Sequence, residues 1–331
     1  MDNYVPPFTI TSVMLEYVSK IMEKIGKMSN YTNLNKMPNL RRNNKIRSIH
    51  SSLAIESNSL TLEQVTAVID GKLVMGSQKE IQEVLNAYSA YEMISKVNPF
   101  SLEDLKKIHG MLTYKTVEQS GVFRSGNEGV FDDLGNCIHV CPPPDQVPIL
   151  MSQLFLWMKN NKNVVHPLIL SSVFHYEFVF IHPFSDGNGR TARLWQNIIL
   201  SDWKEFFEYL PIESQIKKYQ DEYYEAIAKC NKAASSNDFI EFMLKMIDDV
   251  LTETMATSTK PLTEKAININ KLLNVMEYHV PMSASEIMEH LGIKSKETLR
   301  NVYLDPAIED GFVELTIPDK PTSKNQMYYK K

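Results

Sequence analysis

Twelve consecutive residues, His182-Pro183-Phe184-Ser185-Asp186-Gly187-Asn188-Gly189-Arg190-Thr191-Ala192-Arg193, combine side chains and spacing suited to phosphate chemistry. They follow the apolar run Leu168 to Ile181 and open a helical pattern that runs to about Asp202. Gly187, Asn188 and Gly189 fall where a loop turns into a helix, so small side chains leave backbone N–H groups able to face an anion. Arg190 and Arg193 are three apart and share one helix face, with planar forks suited to bidentate phosphate contacts; two of them imply a polyphosphate. Asp186 is a hard oxygen donor just ahead of that cradle, as a Mg²⁺ bridging two phosphates requires. His182, four residues earlier, can accept a proton near neutrality, a role worth ~10²–10⁴ in rate.

Taken singly, each feature has a plainer reading: a core or capping histidine, an ordinary turn, a solvated pair of arginines. Within twelve residues they support one another. No Gly-Lys-[Ser/Thr] follows a strand signal, and neither the spacing nor a βαβ context fits a dinucleotide fingerprint.

The stretch resembles the Fic family, whose motif reads His-x-Phe-x-[Asp/Glu]-Gly-Asn-Gly-Arg-x-x-Arg, and every defined position is matched. The resemblance implies transfer of AMP from ATP to a hydroxyl side chain of a protein. It implies His182 as general base, Asp186 as the Mg²⁺ ligand, Gly187, Asn188, Gly189 and Arg190 as phosphate holders, and Arg193 on the γ-phosphate. Relatives that move another phosphate-containing group, or remove AMP, keep the same fold, so these remain alternatives. A third reading makes the chain a transcriptional regulator with a nucleotide-sensing core.

Upstream, a helix should run from about Leu40 to Glu56 through Ile46, Ile49, Leu53 and Ile55. Its end, Ser52-Leu53-Ala54-Ile55-Glu56-Ser57-Asn58, resembles the inhibitory motif [Ser/Thr]-x-x-x-Glu-[Gly/Asn] of Fic proteins in the variety where it precedes the core. Glu56, with Ser52, would then pair with Arg193 and occupy the fork that the γ-phosphate needs. Ser57 departs from the motif, so the left-handed stop that Gly supplies is in question there.

The elements that must position these residues are mostly helical. Thr11 to Lys27, Gln78 to Val97, Ser101 to about Lys115 and Asp145 to Asn161 carry apolar stripes at helical spacing. Leu168 to Phe180 is apolar on most sides, as the buried centre of a bundle should be. His109, on an apolar face, reads as a core residue without a role. Glu213 to Lys232 and Asp238 to Thr254 complete an all-helical domain. Gly129, Val130 and Phe131, a turn at Asp133 to Asn136, and Cys137 to Val140 read as a β-hairpin ahead of Pro142-Pro143-Pro144. In Fic proteins a hairpin here is the flap that binds the target by strand addition, and Arg124 ahead of it fits the family.

Composition is ordinarily globular: 331 residues, net charge −5. That charge carries no general footprint for nucleic acid or anionic membrane. No ~20-residue apolar run offers a membrane span, and the N-terminus lacks a signal-peptide pattern. Three cysteines, Cys137, Cys141 and Cys230, cannot all pair, which suits a reduced cytoplasm. The alternation Cys137-Ile138-His139-Val140-Cys141 reads as a strand rather than a zinc site.

The expected class is therefore mainly α: a Fic-type helical bundle with a small β-hairpin flap, plus a C-terminal winged helix-turn-helix domain. The expected divisions are 1–80, a helical region carrying the inhibitory motif; 81–255, the catalytic core; 256–264, a linker; and 265–331, the winged helix. Residues 265–331 hold nine Lys or Arg and nine Asp or Glu, too thin a footprint for DNA, so protein contact or a homodimer is favoured.

Overall fold

The computed structural model describes residues 4–30, 38–131, 137–258, 264–277, 280–321 and 323–330. Most of them are helical. The chain divides into two units, one comprising Met1–Lys27 with Asn44–Thr254, the other Met28–Asn43 with Met255–Lys331.

In the larger unit the helices are α1 (Ser12–Asn30), α2 (Pro38–Ile55), α3 (Leu62–Ile69), α4 (Gln78–Tyr91) and α5 (Leu102–Leu112). The hairpin strands β1 (Gly129–Phe131) and β2 (Cys137–Val140) follow, then α6 (Val147–Asn161), α7 (Pro167–Ile181), α8 (Asn188–Trp203), α9 (Ile212–Lys218), α10 (Gln220–Ala233) and α11 (Asn237–Ser258). Helices α1, α2 and α11 each run past a boundary of the larger unit in the sequence. Pro38, two residues ahead of the start expected near Leu40, begins α2, a position where its missing N–H costs nothing. The pattern Glu213 to Lys232 is two helices, broken at Tyr219. Helix α11 continues to Ser258, three residues into the stretch expected as linker; 259–263 lie outside the described residues.

Helix α7 is the centre of the bundle. Pro167 at its first turn pre-sets the backbone, and the His166 ring accepts the Leu168 N–H at 3.3 Å. Every residue from Leu168 to Phe178 is buried, as an all-round apolar helix demands. Phe174 on α7 meets Trp195 on α8 and Phe155 on α6 with ring centroids 5.9–6.4 Å apart, which holds the two motif helices rigidly together. Burial of these rings and their Leu, Ile and Val neighbours, at roughly 25 cal/mol per Å², is what keeps a loop full of polar groups in one shape.

The hairpin pairs antiparallel with Gly129 opposite Val140, Val130 opposite His139 and Phe131 opposite Cys137, the register shifting after Val130. The turn expected at 133–136 lies outside the described residues.

The smaller unit contains α12 (Glu264–Val275), β3 (Met282–Ser283), α13 (Ala284–Leu291), α14 (Lys296–Thr298), a π-helical stretch Leu299–Leu304, α15 (Asp305–Glu309), β4 (Val313–Leu315) and β5 (Met327–Lys330). Its core joins Leu272, Leu273, Ile287, Leu299, Leu304 and Val313. A capping box of Ser283 and Glu286 opens α13, and Gly292 ends it in the left-handed region. Ahead of Pro306 the chain runs as the π stretch, after which the Asp305 N–H donates to the Arg300 carbonyl. The strands form one antiparallel sheet in the order β3-β5-β4; β3 is too short to show in the sequence. No helix among the described residues is long and apolar enough to cross a membrane.

Candidate active site

The junction between α7 and α8 carries the site. Helix α7 ends at His182, whose backbone is left-handed at φ 50°, with its N–H on the Phe178 carbonyl at 2.9 Å. Arg124, 3% exposed, holds this turn from outside: its Nε donates to the His182 carbonyl at 2.7 Å and its backbone N–H to the Pro183 carbonyl at 3.0 Å. The same guanidinium donates to the carbonyls of Gly126 (2.8 Å) and Pro142 (2.6 Å), which flank the hairpin. One buried arginine therefore fixes both the His182 turn and the flap. His139 on β2 adds a second tie, its Nε2 bonding the Phe180 carbonyl at 2.7 Å.

Burial pushes the His182 pKa down to about 4, with the charge of Arg124 adding to the effect and the Val179 carbonyl opposing it. The ring is thus neutral at physiological pH, as a proton acceptor must be.

The loop beyond is shaped by side chains that never reach solvent. Asn188, 2% exposed, accepts the Phe184 N–H at 3.0 Å and donates to the Phe184 carbonyl at 2.7 Å, closing the turn. The Phe184 ring stacks on His109 at 3.6 Å between centroids. His109 Nδ1 accepts the Gly121 N–H at 3.0 Å, so its Nε2 carries the proton and donates to the Asp186 carbonyl at 2.9 Å. Burial brings this imidazole down to about 4 as well. Gly187 sits at φ 79°, and a Cβ there would stand 2.8 Å from Thr113 Cγ2, so both conformation and space require glycine.

Asp186 is half exposed. Its Oδ1 accepts from the Gly187 N–H at 2.5 Å and from Arg190 Nη2 at 3.1 Å, while Oδ2 points to no partner among the described residues. A hard carboxylate with one open oxygen beside an anion cradle fits a Mg²⁺ that shares its shell with phosphate and water. Arg190 is 4% exposed and also pairs with Glu83 at 3.2 Å.

At the next turn of α8, Arg193, 3% exposed, is held by α2. Its Nε donates to Ser52 Oγ at 3.1 Å, and Nη2 donates to the Ser52 carbonyl at 2.9 Å and to Glu56 Oε1 at 2.7 Å. A Cβ added to Gly189 would fall on the Glu56 carboxylate. Glu56 therefore lies directly over the N-terminus of α8, where amides without intrahelical acceptors and the helix dipole favour negative charge. Ser57, in doubt from sequence, takes the left-handed stop itself at φ 66°.

Ser52, Glu56, Gly189 and Arg193 are thus one cluster, and Asp186, Gly187 and Arg190 another beside it. Gly129, Val130 and Phe131 lie on the strand tied to the His182 turn through β2 and Arg124. Sequence reasoning missed His109 and Glu83. His109 carried no local signal beyond its apolar face, and Glu83 looked like any acid on an amphipathic helix.

Residues 99–200 match the model of the Fic/DOC family, and 268–329 match that of the Filamentation induced by cAMP protein Fic-like, C-terminal domain. A crystal structure of a Fic family protein from Desulfovibrio desulfuricans G20 is 43% identical, covers 99% of this chain and 98% of its own, and superposes with a TM-score of 0.75. The chain belongs to the Fic/DOC family. Fic-1 (aa134–508) from C. elegans, 21% identical, shares the fold over 75% of this chain and 73% of its own, with a TM-score of 0.60. Proteins named protein adenylyltransferase Fic from Nematostella vectensis and Culex quinquefasciatus are each 30% identical, over 64% and 60% of this chain. The chain spans 49% and 39% of those two relatives.

Proposed function

We propose that this protein is a self-inhibited adenylyltransferase that moves AMP from ATP to a hydroxyl side chain of a protein. The observation that carries the reading is the Glu56 carboxylate on Arg193, lying over Gly189 at the N-terminus of α8. An anion already occupies the ground a terminal phosphate needs, on the arginine that would bind it. The names of the curated relatives support the same chemistry.

In this reading neutral His182 takes the proton of the target hydroxyl, the hydroxyl oxygen bonds to the α-phosphorus, and the bond from phosphorus to the departing pyrophosphate breaks. Gly187, Asn188, Gly189 and Arg190 hold the phosphates, and Arg193 holds the last of them once Glu56 has moved. Asp186 would hold Mg²⁺, which supplies charge neutralisation to the leaving pyrophosphate. The target lies along Gly129, Val130 and Phe131 as an added strand, a mode supported by a sheet in which, among the described residues, β1 pairs with β2 alone. A target tied by backbone bonds to this strand is carried by Arg124 and His139 onto the His182 turn.

Residues 1–80 supply the inhibitory segment and 81–255 the catalytic core. We read 265–331 as a winged helix, supported by its helices α12 to α15 and the β3-β5-β4 sheet. Its balanced charge favours protein contact or self-association over DNA. A reduced cytoplasm suits a chain of three cysteines, of which Cys141 and Cys230 are buried.

The test is the position of the label. Glu56→Gly protein given ATP labelled at the α-phosphorus should label a protein acceptor, and ATP labelled at the γ-phosphorus should not. Transfer of the γ-label would overturn AMP as the group moved.

A further inference from the structure

Glu83, in α4, is 9% exposed and faces two elements at once. Its Oε1 accepts from Arg190 Nη1 at 3.2 Å, and its Oε2 accepts from Asn58 Nδ2 at 2.9 Å. Asn58, 8% exposed, stands two residues beyond Glu56. Its Nδ2 also reaches the Glu80 carbonyl at 3.3 Å and its Oδ1 accepts the Leu60 N–H at 3.2 Å, so it pins the chain that leaves the left-handed Ser57. One buried carboxylate thereby connects the segment bearing Glu56 to the first arginine of the α8 cradle.

Both cradle arginines are paired with acids from other helices, but the two pairs differ in kind. The Glu56 side chain is 33% exposed and stands at a helix end, where an incoming anion can displace it. Glu83 sits within a helix with both oxygens engaged, so displacing it would strand a buried charge together with a buried amide. Glu83 is built to stay.

We propose that Glu83 is a positioning residue linking inhibition to nucleotide binding: it aims Arg190 at the phosphates and, through Asn58, holds the chain so that Glu56 reaches Arg193. The inference rests on the nucleotide-transfer reading above and deepens it. Without Glu83, the Arg190 fork has Asp186 Oδ1, at 3.1 Å, as its remaining acidic partner among the described residues and turns away from its present aim. Removing the acid therefore has two separable effects, weaker phosphate binding through Arg190 and weaker inhibition through Asn58.

The experiment is calorimetric titration of Mg-ATP, with labelling kinetics alongside, in Glu56-intact and Glu56→Gly backgrounds. In the Glu56→Gly background, Glu83→Gln should raise Kd and KM for ATP about tenfold and leave kcat within about twofold. Asn58→Ala, which leaves the Glu83 pair with Arg190 in place, should tighten ATP binding about fivefold with Glu56 intact and change nothing in the Glu56→Gly background, since it acts only through that carboxylate. Unchanged Kd in Glu83→Gln, or an equal effect of Asn58→Ala in both backgrounds, would overturn the linkage. If Glu56→Gly binds ATP yet labels nothing, the transfer reading fails, while the binding comparisons still decide the role of Glu83.

Discussion

Glu56 Oε1 accepts a hydrogen bond from Arg193 Nη2 at 2.7 Å, with the arginine 3% exposed and held from the other side by the hydroxyl and carbonyl of Ser52. Ser52 lies in the last turn of α2 and Glu56 just past its end, so the segment that blocks the cradle also orients the arginine the nucleotide would use.

Because Arg193 is buried, removing Glu56 leaves a charge without its counter-ion. The two Ser52 contacts remain and Glu56 is partly solvated, so Glu56→Gly should destabilise the ligand-free protein by about 2–3 kcal/mol. Saturating Mg-ATP should restore most of that loss by mass action, seen as a larger ATP-induced rise in thermal midpoint for the variant than for the parent. Equal rises in both would argue against competition between Glu56 and a phosphate.

Ser57 holds φ 66° without being glycine, a conformation costing a β-carbon-bearing residue about 1–2 kcal/mol. Ser57→Gly removes that strain but loosens the unfolded chain, for a net gain of up to about 1 kcal/mol with basal labelling still low. Chemical denaturation of the pair measures it; a loss of more than about 1 kcal/mol contradicts the assignment of strain to this residue.

Stability should fall in mild acid. His175 is depressed to about 3, and His109 and His182 to about 4, chiefly by burial. From about pH 6.5 down to those values the unfolded chain binds protons that the folded one refuses, so the folded state loses ground as pH drops. Glu177, raised to about 7 by burial, works the other way, since the folded state keeps its proton between about pH 4.5 and 7. With His50 and His166 also lowered by burial, the histidines outweigh Glu177 and the likewise raised Glu213 and Asp249. Urea midpoints at pH 7 and pH 4.5 should differ accordingly, and His175→Gln should remove on the order of 2 kcal/mol of the difference. A flat profile would refute the buried neutral histidines.

Strand addition needs the backbone of β1. Val130→Pro should cut modification of a protein target at least tenfold while leaving ATP affinity in the Glu56→Gly background unchanged, because proline removes a donor without touching the cradle. Undiminished target labelling would remove the hairpin from recognition.

The twelve-residue motif was legible because its chemistry is local: an acid, glycines at a helix start and arginines one turn apart follow one another in the chain. The bundle was legible for a similar reason, since α7 is apolar on most sides and needs no partner to be read. Glu56 could be read only through resemblance, because its distance from Arg193, 137 positions in sequence, is closed by tertiary packing. His109 and Glu83 were opaque for the same cause without a motif to help: each acts through a backbone carbonyl or a side chain from a remote helix. Strand β3 and the π stretch ahead of Pro306 were missed because two residues and a bulge leave no period.

The central claim is that His182 transfers a proton in a reaction that Glu56 suppresses. Labelling by α-labelled ATP should rise at least tenfold in Glu56→Gly over the parent and return to background in Glu56→Gly with His182→Ala, the double variant still binding ATP. Equal labelling by the single and double variants, or no rise on removing Glu56, would contradict the account.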